Sequence, residues 1–297
     1  MSADMARILM YHNFAATEEE WPDAVSVDAA RKQLAYLHDH FRVIPLTRLV
    51  EQLKSGAAIE RNALALTVDD GRRNFCQFFF PLLKEFRMPA TFFIVSSFIC
   101  GKDWIWTDKV LWLARQPLAL EELRQDKLDH FFEKMNRLRP DLRNSQIDEV
   151  AAKMKVSIPK EPPAEYAACS WAQLREMTDS GLVEIGSHSV SHPIFSTLTE
   201  EESQWELAES RTQIEQLLGR RVSSFCFPNG KPADYCPQHL QQVKEVGYSS
   251  AVLTHFGMPR RGADPYALPR IGISGRTDLL SFMKYLDGIE YYQGLLR

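Results

Sequence analysis

No stretch of the chain stays apolar for the roughly 18 residues that a membrane-spanning helix requires. The N-terminus, MSADMARILMYH, lacks a charged region followed by a long apolar run and a small-residue cleavage site. No signal peptide is therefore expected, and the expected location is cytoplasmic. The five cysteines, Cys76, Cys100, Cys169, Cys226 and Cys236, are odd in number and far apart, with no C-x-x-C pair. This removes zinc-ribbon and thioredoxin-like readings and leaves free, buried thiols in a reducing compartment as the expectation. Basic excess is missing too: 35 Lys and Arg against 39 Asp and Glu give a net charge of −4. That balance offers no footprint for nucleic acid and no polybasic run for anionic lipid. Internal repeats and low-complexity runs are absent. What is present is ample apolar material, 45% of 297 residues, enough for a sizeable core. α/β barrels of this length often form one domain, and a single domain over residues 1–297 is expected.

Strand-like and helix-like segments alternate. Strands are expected at Arg7–His12, Val43–Leu46, Ala63–Asp70, Ala90–Ser96, Val183–Gly186, Ser223–Phe227, Ala251–Thr254 and Ala267–Ile273. Helices are expected at Ser26–Phe41, after Leu46 up to Gly56, and at Phe75–Phe86 with an aromatic face. A long helix follows the capping box of Thr199 and Glu202 and ends at Gly219. Strands alternating with helices argue for parallel βαβ units. The fold class expected is α/β, a distorted or incomplete TIM-like barrel, with an open doubly wound sheet as the alternative. Residues from about Trp104 to Cys169 break the alternation: they are charged, helical in spacing and without a clear strand. They read as a helical insertion after the fourth strand, on the face where barrel active sites lie. Asp278–Arg297 reads as an amphipathic helix with Phe282, Tyr285, Leu286, Ile289 and Tyr292 near one face, packed on the barrel.

Two motifs carry chemistry. In TVDDG an apolar strand runs straight into Asp69 and Asp70, and Gly71 permits a tight turn. Adjacent carboxylates repel unless a cation neutralises them, and a metal can bind one and leave the other as a base. In GSHSVSH a strand delivers His188, and His192 follows four residues later, a spacing that sets two imidazoles on one side of a helical turn. One carboxylate and two histidines leave coordination positions open for water, as in catalytic zinc sites. The spare carboxylate could then take the water's proton. His12 and His255 both end expected strands and could face such a site.

At these residues the sequence resembles the polysaccharide deacetylases of the NodB-homology type, carbohydrate esterase family four. The family motif T-F-D-D-G is similar to Thr67-Val68-Asp69-Asp70-Gly71. Its H-[ST]-x-x-H is similar to His188-Ser189-Val190-Ser191-His192, and its F-x-x-P-x-G to Phe225-Cys226-Phe227-Pro228-Asn229-Gly230. The resemblance implies a distorted (β/α) barrel in which Asp70, His188 and His192 bind one divalent ion, zinc above others, and Asp69 is the general base. It implies that Phe227, Pro228 and Asn229 line the acyl pocket, with a backbone N–H near Asn229 at the oxyanion. His12 is placed with this substrate set. Two departures stand out: the third-motif arginine is replaced by Cys226, and the late L-x-x-H has no clear counterpart. The last strand instead reads Leu268-Pro269-Arg270-Ile271, which looks like a subgroup linked to exopolysaccharide synthesis, and Arg270 is expected to take the missing arginine's place beside Asp69.

The function expected from this resemblance is hydrolysis of an N-acyl group, acetyl first, from an amino sugar of a polysaccharide or glycan precursor. The partner expected is that acylated sugar, with no nucleic acid and no membrane span. The alternatives are a deformylase or small-amide hydrolase of the same fold, and an inactive glycan-binding homologue. A non-haem iron oxygenase also uses two histidines and a carboxylate, but the alternating βα pattern and the paired DDG speak against it.

Overall fold

The computed structural model describes residues 5–18, 21, 23–56 and 58–288. Its strands are β1 (Arg7–Tyr11), β2 (Phe14–Ala15), β3 (Val25–Ser26), β4 (Arg42–Val43), β5 (Ala63–Val68), β6 (Ala90–Ile94), β7 (Val183–Ser187), β8 (Ser224–Cys226), β9 (Ser250–Phe256) and β10 (Leu268–Gly272). All but β2 and β3 join one parallel sheet, which closes through a β1–β5 pairing into a seven-stranded barrel. Closure excludes the open doubly wound alternative. The distortion sits at β5. One edge of β5 pairs with β1 along its whole length, from Arg7↔Leu64 to Tyr11↔Val68. The other edge is divided: β4 takes Ala63 and Leu64, and β6 takes Thr67 and Val68. Thus β4 is an eighth strand wedged into the bottom of the barrel wall. It is shorter than the expected Val43–Leu46 segment, because Leu46 already begins a helix after Pro45. The short β2–β3 ladder was not anticipated.

Strands buried on both faces carry nearly continuous apolar runs, and every residue of β5, ALALTV, is buried. Alternate residues point inward. Ile8, Ala65, Phe93, Cys226, Val252 and Leu268 fill the barrel as one cluster. Leu9, Leu64, Leu66, Phe92 and Ala251 face the surrounding helices in another. Gly186 on β7 lies opposite Phe93: a Cβ there would sit 2.3 Å from the Phe93 ring. Glycine at that point lets the Phe93 ring fit inside the barrel.

Helices α1 (Val27–His40), α2 (Leu46–Ser55) and α3 (Phe80–Phe86) cover the first half of the barrel. Ser26 caps α1 through its side-chain oxygen, which accepts from the Ala29 N–H at 3.2 Å. The helix expected over Phe75–Phe86 is divided: Phe75–Phe79 is a π-helical turn in which the Phe80 N–H reaches Phe75 O. Pro81 explains the widening, since it has no N–H to give Gln77 O. After the short α4 (Ser96–Ile99) come three helices of the insertion, α5 (Trp106–Ala114), α6 (Gln125–Asn136) and α7 (Pro140–Lys153). They bury their own cluster, including Trp106, Val110, Phe131, Met135, Ile147 and Val150. The second half adds α8 (Trp171–Asp179), α9 (Glu200–Leu218), α10 (Pro237–Val246) and α11 (Leu279–Asp287). Thr199 and Glu202 form the capping box of α9, and Gly219 ends it at φ 65°. On α11, Phe282 and Leu286 are fully buried and Tyr285 packs beside them. Ile289 and Tyr292 lie outside the described residues.

All five cysteines are free, but only Cys169 and Cys226 are buried, while Cys100 and Cys236 are exposed. The exposed pair lie outside strand interiors: Cys100 ends α4, and Cys236 caps α10. Among the described residues no helix is long and apolar enough to cross a membrane.

Candidate active site

The inward rows of the barrel converge at its C-terminal end. Following the strand alternation one step past β5 brings Asp69 inward, and one step past β7 brings His188 inward. Cys226 on β8 and Arg270 on β10 complete the ring. Above it opens a cleft of about 820 Å³ whose wall includes His12, Asp69, Asp70, His188, His192, Phe227 and Asn229. Pro228 does not line it; its carbonyl instead accepts the Gly230 N–H at 2.6 Å and tightens the turn. His255 does not line it either, because inward residues on β9 are Val252 and Thr254 and His255 falls on the opposite face.

Asp70, His188 and His192 come together. Asp70 Oδ1 lies 3.5 Å from His188 Nε2 and 3.5 Å from His192 Nε2. His188 Nδ1 is 2.7 Å from Cys226 O. A proton on Nδ1 satisfies that carbonyl and points Nε2 at Asp70; against the pull of burial, Cys226 and Asp70 hold the ring well above its ordinary value, so a cation at Nε2 would displace a proton. Burial, reinforced by His188, pushes His192 down to about 3, so its ring stays neutral. Two imidazole nitrogens and one carboxylate oxygen therefore fit a divalent cation. A second triple, Asp69, His188 and Cys226, is also close-set. It does not fit a cation, because the Arg270 guanidinium already occupies both Asp69 oxygens and touches the sulfur.

The helical turn expected for the histidines is not formed. Ser189 (φ 70°) and His192 (φ 58°) take left-handed backbone, and Pro193 stops any helix from continuing. The turn is held by Glu206 of α9, whose carboxylate accepts from Val190 N at 2.7 Å, Ser191 N at 3.0 Å and Ser191 Oγ at 2.5 Å. Seven non-glycine residues among those described have positive φ, and four of them, Asp70, Ser189, His192 and Asn229, surround this cleft. Concentrated left-handed backbone at one place is a mark of function.

Arg270 reaches Asp69 as expected, with Nη1 to Oδ1 at 2.8 Å and Nη2 to Oδ2 at 2.7 Å. It is fully buried and also donates to Leu253 O at 2.8 Å and Thr67 Oγ1 at 3.0 Å. A register shift between Leu268 and Arg270 against β9 aims the side chain there. Cys226 sits 3.4 Å from Asp69 Oδ2 and 3.2 Å from Arg270 Nη2, so the thiol replaces an arginine with packing and one weak donor. Burial would push the Asp69 carboxyl up, but the bidentate Arg270 holds it below its ordinary value. His12 Nε2 is 3.7 Å from Asp69 Oδ2, with 41% of the side chain exposed to the cleft. Desolvation lowers His12 despite the pull of Asp69, so the ring is neutral at pH 7.

Three participants were not found from the sequence. Glu206 gave no signal beyond its place in an amphipathic helix. Arg72 and Asp108 form a buried chain with Asp70: Arg72 Nη1 donates to Asp70 Oδ2, Nε to Asp108 Oδ2 at 3.1 Å and Nη2 to Asp108 Oδ1 at 2.6 Å. The insertion also supplies one wall of the cleft through Asp129, Phe132, Glu133 and Asn136. Their spacing of i, i+3, i+4 and i+7 on α6 marks a single helix face and was legible as such.

The family model for polysaccharide deacetylase matches residues 57–251, more than half of the chain. The chain belongs to the polysaccharide deacetylase family. Both metal-type motifs fall within the matched span. The polysaccharide-deacetylase-like protein YxkH of Bacillus subtilis (strain 168) is 26% identical over 118 residues, 40% of this chain and 41% of that protein. The poly-beta-1,6-N-acetyl-D-glucosamine N-deacetylase of Escherichia coli (strain K12) is 29% identical over 96 residues, 31% of this chain and 14% of that protein. This deacetylase homologue thus spans less than half the length of either relative. Its fold is that of the Streptococcus pyogenes deacetylase PplD, solved in complex with acetate, at a TM-score of 0.67 and 17% identity, covering 95% of this chain and 98% of PplD.

Proposed function

We propose that this family member is a metal-dependent de-N-acetylase that removes acetyl groups from amino-sugar residues of a polysaccharide or its precursor. One observation carries the reading. Asp70 Oδ1 and the two histidine Nε2 atoms converge beside a second carboxylate, Asp69, that a bidentate arginine keeps ionised, all at the floor of an open cleft. Asp70, His188 and His192 would hold the cation, zinc by its donor set. When bound, it would acidify a water molecule and polarise the amide carbonyl.

The chain's own residues do the rest. Asp69 accepts the proton of the attacking water, and Arg270 fixes both carboxylate oxygens so that the ionised form is kept and aimed. The water oxygen bonds to the carbonyl carbon, the carbon–nitrogen bond breaks, and the amine leaves with a proton returned from Asp69. The products are the free amino sugar and acetate. Neutral His12, beside Asp69 on the cleft wall, offers an N–H to the substrate. Phe227 and the Asn229 turn bound the space next to the histidines, where an acetyl methyl would lie. The cleft is open and about 820 Å³ in volume, and α6 lends it an aromatic ring, an amide and carboxylates suited to hydroxyl-rich ligands. The names of the Escherichia coli and Streptococcus pyogenes proteins support acetyl as the group and N-acetylglucosamine polymers as first substrates to try.

The test is acetate release from β-1,6-linked N-acetylglucosamine oligomers, with metal content measured alongside. Wild type is expected to hold about one zinc per chain and to release acetate. Asp70→Ala and His188→Ala should lose both, whereas Asp69→Asn should keep the metal and lose turnover. Metal-free wild type after zinc loading, or an active Asp69→Asn, would overturn the reading.

A further inference from the structure

The insertion does more than wall the cleft. Helix α5 backs two members of the histidine–carboxylate set, His192 directly and Asp70 through Arg72. Asp108, fully buried, takes two N–H groups of Arg72, and Arg72 in turn holds Asp70 Oδ2. Trp106, two residues earlier, donates its indole N–H to His192 O at 3.1 Å and lies under the Arg143 guanidinium, 4.4 Å from its ring centre. Because Arg72 engages Oδ2, only Oδ1 faces His188 and His192, which sets Asp70 up as a one-oxygen ligand.

Charge gives this chain a second consequence. Asp69 and Arg270 cancel, and the histidines are neutral as ligands. Were Asp70 paired with Arg72 alone, those two would cancel as well, and the groups touching the histidine–carboxylate set would hold no net negative charge, leaving attraction of a cation to Asp23, Asp129 and Glu133 farther out on the cleft wall. Asp108 supplies the missing charge: burial raises its carboxyl, but both its oxygens accept guanidinium N–H groups as a carboxylate does, and with Asp108 ionised the trio of Asp70, Arg72 and Asp108 is net −1.

We propose that Asp108, a residue of the inserted helix, is a positioning residue that keeps Asp70 available to a divalent cation by neutralising Arg72 from its far side. The proposal rests on the reading that Asp70, His188 and His192 hold that cation. It makes the insertion part of the cation site, so metal affinity in this chain depends on a helix that carries no ligand of its own. It accounts for the burial of two acids around one arginine, an arrangement that would otherwise be expensive to desolvate.

The experiment measures the zinc dissociation constant of the folded, full-length protein by competition with a chromophoric chelator. Melting curves confirm folding of each variant. Asp108→Asn leaves the trio neutral and should weaken zinc binding by about 10-fold or more, as loss of an outer partner of a ligand typically does. The double variant Arg72→Met with Asp108→Asn returns the trio to −1 and should recover affinity to within a few-fold of wild type. A role in packing alone would predict no such recovery. The proposal is overturned if folded Asp108→Asn binds zinc like wild type, or if the double variant is no better than Asp108→Asn. Should Asp108→Asn fail to fold, the double variant, in which the buried Asp70 is left to the cation alone, decides alone: near-wild-type affinity supports the proposal and loss of zinc overturns it. Asp70→Ala separates the two layers. If wild type and Asp70→Ala bind zinc equally, the underlying metal reading fails, and the proposal with it. If Asp70→Ala loses zinc while Asp108→Asn does not, only the proposal fails.

Discussion

At the scale of single residues, the most informative pair is Asp69 and Arg270. A fully buried carboxylate survives ionised only with a partner, and here the partner contacts both oxygens. Arg270→Ala should lower turnover by ~100-fold or more while zinc content stays at the wild-type level. Arg270→Lys, which keeps the charge but not the two-pronged geometry, should fall between. Steady-state kinetics with metal analysis checks both, and an unchanged kcat in Arg270→Ala would make the pair purely structural. This pairing was suggested by the resemblance of L-P-R-I to a deacetylase subgroup and by the missing third-motif arginine, and the inward position of Arg270 on β10 is what realises it. Arg72 and Asp108 were not readable. Arg72 stands beside the DDG motif as any turn arginine might, and Asp108 sits in a helix whose docking onto the barrel no local pattern announces. His12 and His255 looked alike in sequence, and only the alternation of β9 separated them.

At the scale of elements, the strands were the most legible part. Runs such as ALALTV and ATFFI are buried on both faces, so their apolar continuity marks them without ambiguity. The boundaries slipped where backbone chemistry intervened, at Pro45 before α2 and at Pro81 inside the Phe75–Phe86 helix. β7 illustrates how an element positions a site: Gly186 makes room for Phe93, and the next inward residue is His188. Gly186→Ala should cost roughly 1–3 kcal/mol through overpacking, since its methyl would fall within 2.3 Å of the Phe93 ring. Chemical denaturation measures this, and Gly186→Ala combined with Phe93→Leu should regain part of the loss. A neutral Gly186→Ala would mean that β7 and β6 separate more easily than their register implies. The histidine turn was half legible. The spacing of His188 and His192 does bring them together, but the means is a Glu206-tethered loop and not a turn of helix.

At the scale of the whole molecule, the cation site joins distant parts of the chain. Asp70 follows β5, His188 follows β7, and the helices of the insertion lie between them in sequence. An ion held by both binds the folded chain and not the unfolded one. Zinc at 100 times its dissociation constant should then stabilise the fold by about 2.7 kcal/mol. A melting scan should show an upward shift of about 5 °C, absent in Asp70→Ala and reversed by a chelator. A shift that persists in Asp70→Ala would assign the stabilisation to some other site. The alternation of strands and helices disclosed the barrel, but not its wedge at β4, since a two-residue strand leaves almost no periodic trace.

The left-handed backbone around the cleft bears on how this site can change. Asp, Asn and His are the non-glycine residues that tolerate such torsions best, and Asp70, His192 and Asn229 are of these three kinds. In a saturation library, glycine and asparagine should be recovered as folded protein at these positions, and valine and isoleucine should not. The torsions thus confine the neighbourhood of accessible variants to glycine and to side chains such as those of Asn, Asp and His, and keep β-branched residues off the rim of the cleft.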